Sequence, residues 1–189
     1  MISKRGDKKK FKDFIATIRK DPYSAYYIKT TLQKFKNQGI DINMQTDRGQ
    51  NLLHIAVKLK NPRMLKMFIK AGVYLNIANE VGNTPLHQAV LSNRLDMVKI
   101  LVTSGCDMNM GAELEQTPLH LAVINGNSDI IKYLIDQGAD VQMVDELNTM
   151  PLDYAIDESD LKVIRIFQNR QYATEEQKQR IEAIERSQL

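Results

Sequence analysis

An all-α solenoid is the fold class this sequence predicts, and three columns of residues predict it. Histidine recurs at His54, His87 and His120, with Asp153 in the following slot, so each step is 33 residues. Glycine keeps the same phase at Gly39, Gly72, Gly105 and Gly138, and alanine at Ala56, Ala89, Ala122 and Ala155. Coincident columns at one period mark a repeat architecture, in which each unit buries its apolar face only by stacking on a neighbour.

The first element is irregular. A helical apolar pattern runs through Phe11, Phe14, Ile15 and Ile18, then through Tyr26, Tyr27, Leu32 and Phe35. Gly39 stands one period before Gly72, but the expected motif site reads "KDPYSAY" and lacks its Thr, Leu, His and Ala. Residues 13–45 are therefore predicted to be a diverged capping repeat behind a basic segment, 1–12. Five of the twelve aromatics fall within 11–27. They are read as core, with an aromatic partner-binding element as the alternative.

Three full units follow, at 46–78, 79–111 and 112–144. Pro85, Pro118 and Pro151 open the first helix of their units, where proline's fixed φ helps and its missing N–H costs nothing. Leu86, Ala89 and Val90 recur at helical spacing, with the alanine column allowing close packing between repeats. A turn such as "INGNS" comes next, in which Asn127 or Ser128 is placed to cap the second helix. That helix carries Ile130, Ile131, Leu134 and Ile135, and ends at the phased glycine, which suits a helix C-terminus. "GADV", "GCDM", "GVYL" and "GIDI" then lead into a hairpin.

The fourth unit, 145–171, is degraded as the end of a stack should be: "MPLDYAI" has Met150 for threonine and Asp153 for histidine. Residues 172–189 begin with a capping box from Thr174 to Gln177 and continue in strong helix formers, so a terminal helix is predicted to cover the stack. Glu115 and Asn148 occupy the hairpin-tip column held by Gly49 and Gly82. Because a non-glycine residue at positive φ is uncommon, the third tip is expected to be reshaped.

The fullest copy, "EQTPLHLAVINGNSDIIKYLIDQGADV" from Glu115 to Val141, closely resembles the ankyrin repeat. The resemblance is strong over 46–144 and weak over 13–45 and 145–170. It implies an ankyrin-repeat solenoid of helix–turn–helix units joined by β-hairpin loops, whose Thr and His tie the turn to the helices by hydrogen bonds. A metal shared by His54, His87 and His120 is excluded on distance: neighbours in a helical stack lie ~8–10 Å apart, whereas two ligands of one zinc must each come within ~2.1 Å of it. The histidines are architectural.

Enzyme motifs are missing: there is no Gly-rich phosphate loop, His/Cys cluster or nucleophile elbow. Cys106 shares a small-residue column with Ala139 and reads as a buried small hydrophobe. No catalytic residue, metal or cofactor is assigned. No apolar run approaches the ~20 residues of a membrane span, and a secretory signal is absent, so a cytoplasmic location is expected. A single cysteine fits a reducing compartment. Residues 1–36 carry 11 Lys/Arg against 3 Asp/Glu, although the whole chain is only +3.

The ankyrin resemblance implies a protein-binding module acting as a monomer, with contacts on the hairpin tips and on the exposed side of the first helices, along one concave face. The matching positions are Asp47, Arg48, Gln50, Lys58 and Leu59 in the first full unit. In the second they are Glu80, Val81, Asn83, Leu91 and Ser92. Glu113, Leu114, Gln116, Ile124 and Asn125 follow in the third, and Leu147 continues the tip series. Val81, Leu91, Leu114 and Ile124 are apolar at columns expected to be exposed, as in a binding surface. Two alternatives stand beside this reading. The closing "EEQKQRIEAIERSQL" is similar to the glutamate-rich C-terminal signals of type IV-secreted effectors, which would place the protein in a host cytosol; an amphipathic capping helix is the other reading of that segment. Residues 4–12 could contact nucleic acid or an anionic membrane, or could be a solvated tail or the first turns of a capping helix.

Overall fold

The computed structural model describes residues 5–168 and 172–187. Eleven α-helices are formed among them. α1 (Arg5–Lys20) and α2 (Ala25–Asn37) build the N-terminal cap. The units then alternate a first and a second helix: α3 (Leu52–Lys58) and α4 (Pro62–Lys70), α5 (Pro85–Leu91) and α6 (Leu95–Thr103), α7 (Pro118–Ile124) and α8 (Ser128–Asp136), α9 (Pro151–Asp157) and α10 (Leu161–Gln168). α11 (Glu175–Ser187) closes the chain. First helices pack on first helices, from α3 to α5, α7 and α9, and second helices on second helices, from α4 to α6, α8 and α10. The result is the two-layered all-α solenoid expected from the period.

Each first helix is only seven residues long. Such a helix is marginal alone, so its stability comes from burying its apolar side. Leu86, Ala89 and Val90 of α5 are fully buried, as are Leu119 and Ala122 of α7 apart from a trace. One continuous core runs from Phe11 to Ile181. At its N-terminal end Phe14 makes edge-on contacts with Phe35 and Phe68, at 5.5 and 6.3 Å between ring centres, which seats the cap on α4. α1 takes in residues 5–12 of the basic segment, while residues 1–4 lie outside the described residues.

Two local expectations need correction. Asn127 and Ser128 make no side-chain cap on α8. Asn127 turns its amide to the Val90 carbonyl of the preceding unit at 3.4 Å, and the buried Ser128 hydroxyl has no partner among the described residues. In the first unit Asn61 does cap, accepting from the Met64 N–H at 2.9 Å. The hairpins are also tighter than expected, with no strand pairing among the described residues. Each tip is closed by a backbone bond spanning four residues, from the N–H of Thr46, Asn79, Ala112 and Asp145 to the carbonyl of Gln50, Asn83, Gln116 and Thr149, at 2.9 to 3.1 Å, with a tighter turn bond inside it. The carbonyls of Asn83, Gln116 and Thr149 also serve the preceding unit, so the arms have no ladder to extend.

Successive tips stack backbone against backbone. A Cβ on Gly49 would lie 2.8 Å from the Glu80 nitrogen, and one on Gly82 would lie 3.1 Å from the Ala112 carbonyl carbon. Both glycines also hold positive φ, at 68° and 78°. Glu115 cannot meet either demand cheaply, and the third tip is reshaped as expected: Glu113–Glu115 form a 3-10 turn with Leu114 at φ 57° and Glu115 at φ 55°. Asn148 keeps the ordinary tip at φ 57° because no further tip stacks on it, and asparagine tolerates the left-handed region. Replacing Glu115 with glycine is expected to stabilise the protein by about 1 kcal/mol, the usual cost of left-handed backbone less the entropy glycine gains when unfolded. Urea unfolding followed by circular dichroism checks it; an unchanged or lowered midpoint would show that the 3-10 turn carries no strain.

Candidate functional site

The repeated polar motif has one geometry in both of its full copies. Thr84 precedes α5, and its N–H donates to His87 Nδ1 at 3.2 Å while its hydroxyl lies 2.8 Å from the same nitrogen. His87 Nε2 lies 3.1 Å from the Gln116 carbonyl oxygen of the next unit. Thr117 and His120 repeat this, with Nε2 3.0 Å from the Thr149 carbonyl oxygen. In the first unit Asn51 replaces threonine, and His54 Nε2 reaches the Asn83 carbonyl at 2.8 Å. All three histidines are buried. With Nδ1 accepting from the backbone N–H, Nε2 is the nitrogen that carries the proton in His87 and His120. Both ring nitrogens are occupied, so no lone pair is offered to a metal or substrate. Burial pushes the three imidazoles below their ordinary range, against the opposing pull of the backbone carbonyls, and takes His87 down to about 4. Each histidine is a neutral staple between successive units.

The exception, Asp153, has a local cause. Among the described residues no fifth tip supplies a carbonyl to this slot, which a carboxylate can do without. A carboxylate instead accepts from the Met150 N–H at 3.0 Å, from Gln177 Nε2 at 3.0 Å and from Arg180 at 3.1 Å. Thr174 and Gln177 form the expected capping box at 2.9 and 3.2 Å, and Gln177 and Ile181 are buried. α11 is thus docked on α9 as a cap.

A second ladder escaped the sequence reading. Asn43, Asn76 and Asn109 accept from the N–H groups of Tyr74, Asp107 and Asp140 at 2.7, 2.9 and 3.0 Å. Their 33-residue interval was the signal that could have found them. Asp145 is buried and works as a tip closer, accepting from the Leu147 and Thr149 N–H groups at 2.9 and 3.1 Å as Asn79 does in its own tip. Burial, reinforced by the charge of Asp107, pushes the Cys106 thiol up to about 12, which leaves it protonated and a poor nucleophile. Among the described residues no group of three or more His, Cys, Asp or Glu is placed to hold a metal ion, and no helix is long and apolar enough to cross a membrane.

The remaining polar and apolar side chains named from sequence lie on the tips and the outer ends of the first helices. Asp47, Arg48, Lys58, Glu80, Ser92, Glu113 and Asn125 are exposed. Gln50, Leu59, Asn83 and Gln116 are half-buried, and Gln116 is partly engaged by the Tyr154 hydroxyl at 3.1 Å. Val81, Leu91, Leu114 and Ile124 are 45 to 50% exposed, and Leu147 67%. Apart from Val144, these are all the exposed large aliphatics among the described residues. Concentration in one set of columns distinguishes them from scattered surface hydrophobes. In the aromatic cluster, Phe11 and Phe14 belong to the core, whereas Tyr23 and Tyr26 are exposed.

The sequence reading missed one feature of this surface, a groove beside α1. Lys12 and Arg19 face Arg48 and Lys58 across it. Their association depends on how α1 lies against the first tip, and the diverged cap carries no periodic signal for that.

A family model described as "Ankyrin repeats (3 copies)" matches residues 23–112 and 104–177. No curated protein matches the sequence.

Proposed function

The chain belongs to the ankyrin-repeat family, and on that premise we propose that it is a non-catalytic module that binds a partner protein through its tips and first helices. Ankyrin repeats generally mediate protein–protein interaction, and the observation that carries the reading to this particular face is the row of exposed aliphatics, Val81, Leu91, Leu114, Ile124 and Leu147. An apolar centre with a charged margin suits a protein interface. The margin here is supplied by Asp47, Arg48, Glu80 and Glu113. The buried histidines and Cys106 have their chemistry taken up by the stack, which leaves recognition to the surface.

Affinity capture from eukaryotic cell lysate tests the proposal. Wild type is run beside a variant carrying Val81→Glu, Leu91→Lys, Leu114→Glu and Ile124→Lys, after circular dichroism shows both to be folded. A protein retained by wild type and lost by the variant is the expected result. Equal capture by both would move the site to Tyr23 and Tyr26 or to the basic segment.

A further inference from the structure

The N-terminal end of this face differs in charge from the rest. Between α1, the first tip and α3 lies a groove of about 720 Å³, with Lys12, Arg19, Arg48 and Lys58 on its walls. Ile15, Ile55 and Leu59 contribute its apolar lining. A second groove of about 580 Å³ shares Lys12, Thr46 and Asp47 with the first and extends along α1 past Lys8 and Lys9. Lys12 pairs with Asp47 at 2.9 Å. Arg19, Arg48 and Lys58 have no ion-pair partner among the described residues. Like charges held over low-dielectric walls raise the local potential and attract an opposite charge. Further along, the sign reverses: the tips present Glu80, Glu113 and Glu146 beside the aliphatic row.

We infer that this face takes an extended protein segment with an acidic block, which lies in the groove between α1 and the first tip, adjoined by aliphatic side chains that lie along the row. The inference rests on the face being the binding surface, as proposed above. Charge complementarity fixes the chemistry of the occupant and which part of it lies in the groove. A nucleic acid fits less well. Its charge is uniform, so the strand held by Arg19, Arg48 and Lys58 would meet the tip glutamates as it continued, and no aromatic ring lines the main groove to stack a base.

Selection from a library of random linear peptides displayed on phage tests this with the full chain as bait. Two variants run beside wild type: Arg19→Glu/Arg48→Glu/Lys58→Glu, and Leu91→Lys/Ile124→Lys, each first shown by circular dichroism to keep its helix content. Wild type is expected to enrich peptides in which an Asp/Glu block adjoins aliphatic positions on one side. Synthetic copies should bind the charge-reversed chain at least about tenfold more weakly, and wild-type binding should weaken as salt rises from about 50 to about 300 mM. They should also bind the row variant more weakly. Enriched peptides without an acidic excess, or with unchanged affinity for the charge-reversed chain, overturn the acidic-segment inference. The face itself survives that result if the row variant still loses those peptides. Peptides that bind both variants as they bind wild type, or no enrichment at all, overturn both readings. A fluorescent single-stranded DNA oligonucleotide that binds more tightly than every peptide, and is lost on charge reversal alone, assigns the groove to nucleic acid and overturns the inference.

Discussion

Replacing His87 with alanine is expected to lower the free energy of unfolding by about 4 kcal/mol. The side chain is completely buried between two units. Its loss strands the Thr84 N–H, leaves the Thr84 hydroxyl with only the backbone N–H of residue 87, and removes the bond to the Gln116 carbonyl on the other side. Each buried group left unpaired costs roughly 1–3 kcal/mol, and the vacated volume adds to that. Partial relaxation and water entry keep the sum below the simple total. Against a stability of roughly 5–15 kcal/mol, the loss is large. A solenoid is held together by nearest-neighbour interfaces, so weakening a central one should also broaden the transition as the two ends begin to unfold separately. Gln88→Ala is the control: the neighbouring side chain is half-buried and its Oε1 lacks a partner, so its removal should cost under about 1 kcal/mol. Urea unfolding followed by circular dichroism compares the two. A His87→Ala midpoint no lower than that of Gln88→Ala would remove the staple from the explanation of the fold.

Acid should weaken the protein at a pH set by the same three rings. The folded-state values of His54, His87 and His120 lie below the ordinary 6.5, so folding favours the neutral imidazole. Above pH 6.5 the ring is neutral in both states and stability is complete. As pH falls below 6.5, the unfolded chain takes up protons that the folded chain refuses, and stability declines until the folded ring also protonates, near pH 4 for His87. At about 1.4 kcal/mol per pH unit, His87 alone accounts for roughly 3 kcal/mol across that interval. His54 and His120 act in the same direction. Asp96 is held below the usual carboxylate range by the Arg94 hydrogen bond, and Asp145, against the upward push of its burial, by the Tyr154 and backbone hydrogen bonds. Both so act at lower pH, which leaves the decline between pH 6.5 and about 5 to the histidines. Urea midpoints at pH 7.5, 6.5, 5.5 and 5 should therefore fall steadily below 6.5, and His87→Ala should flatten the slope. Constant stability from pH 7.5 to 5 contradicts neutral buried rings.

Much of this fold was legible because a repeat states each contact several times. The proline, alanine and histidine columns located the first helices, and the substitution of Glu115 for a tip glycine located the reshaped third tip. Asp153 was legible only as a departure. Why an acid suits the last slot depends on Gln177 and Arg180 arriving from α11, 24 and 27 residues away. The α8 cap failed for a tertiary reason, since Asn127 bonds back to Val90 and leaves its own helix uncapped. The aliphatic row could be read from its columns, because the period says which side of a helix faces outward. The basic groove could not. It joins Lys12 and Arg19 to Arg48 and Lys58 across the junction between the diverged cap and the first full unit, and α1 carries none of the phased columns.

The claim on which the rest depends is that the repeated histidines are spent on architecture, leaving recognition to the tips and first helices. Its most direct test is a two-dimensional NMR titration of the three imidazoles in the folded protein, with and without zinc. Architectural histidines require all three rings to titrate below 6.5, His87 near 4, in the Nε2-protonated tautomer for His87 and His120 and with no response to the metal. A ring that titrates near 6.5, or that shifts on addition of zinc while the protein stays folded, would show a histidine open to chemistry and contradict the claim.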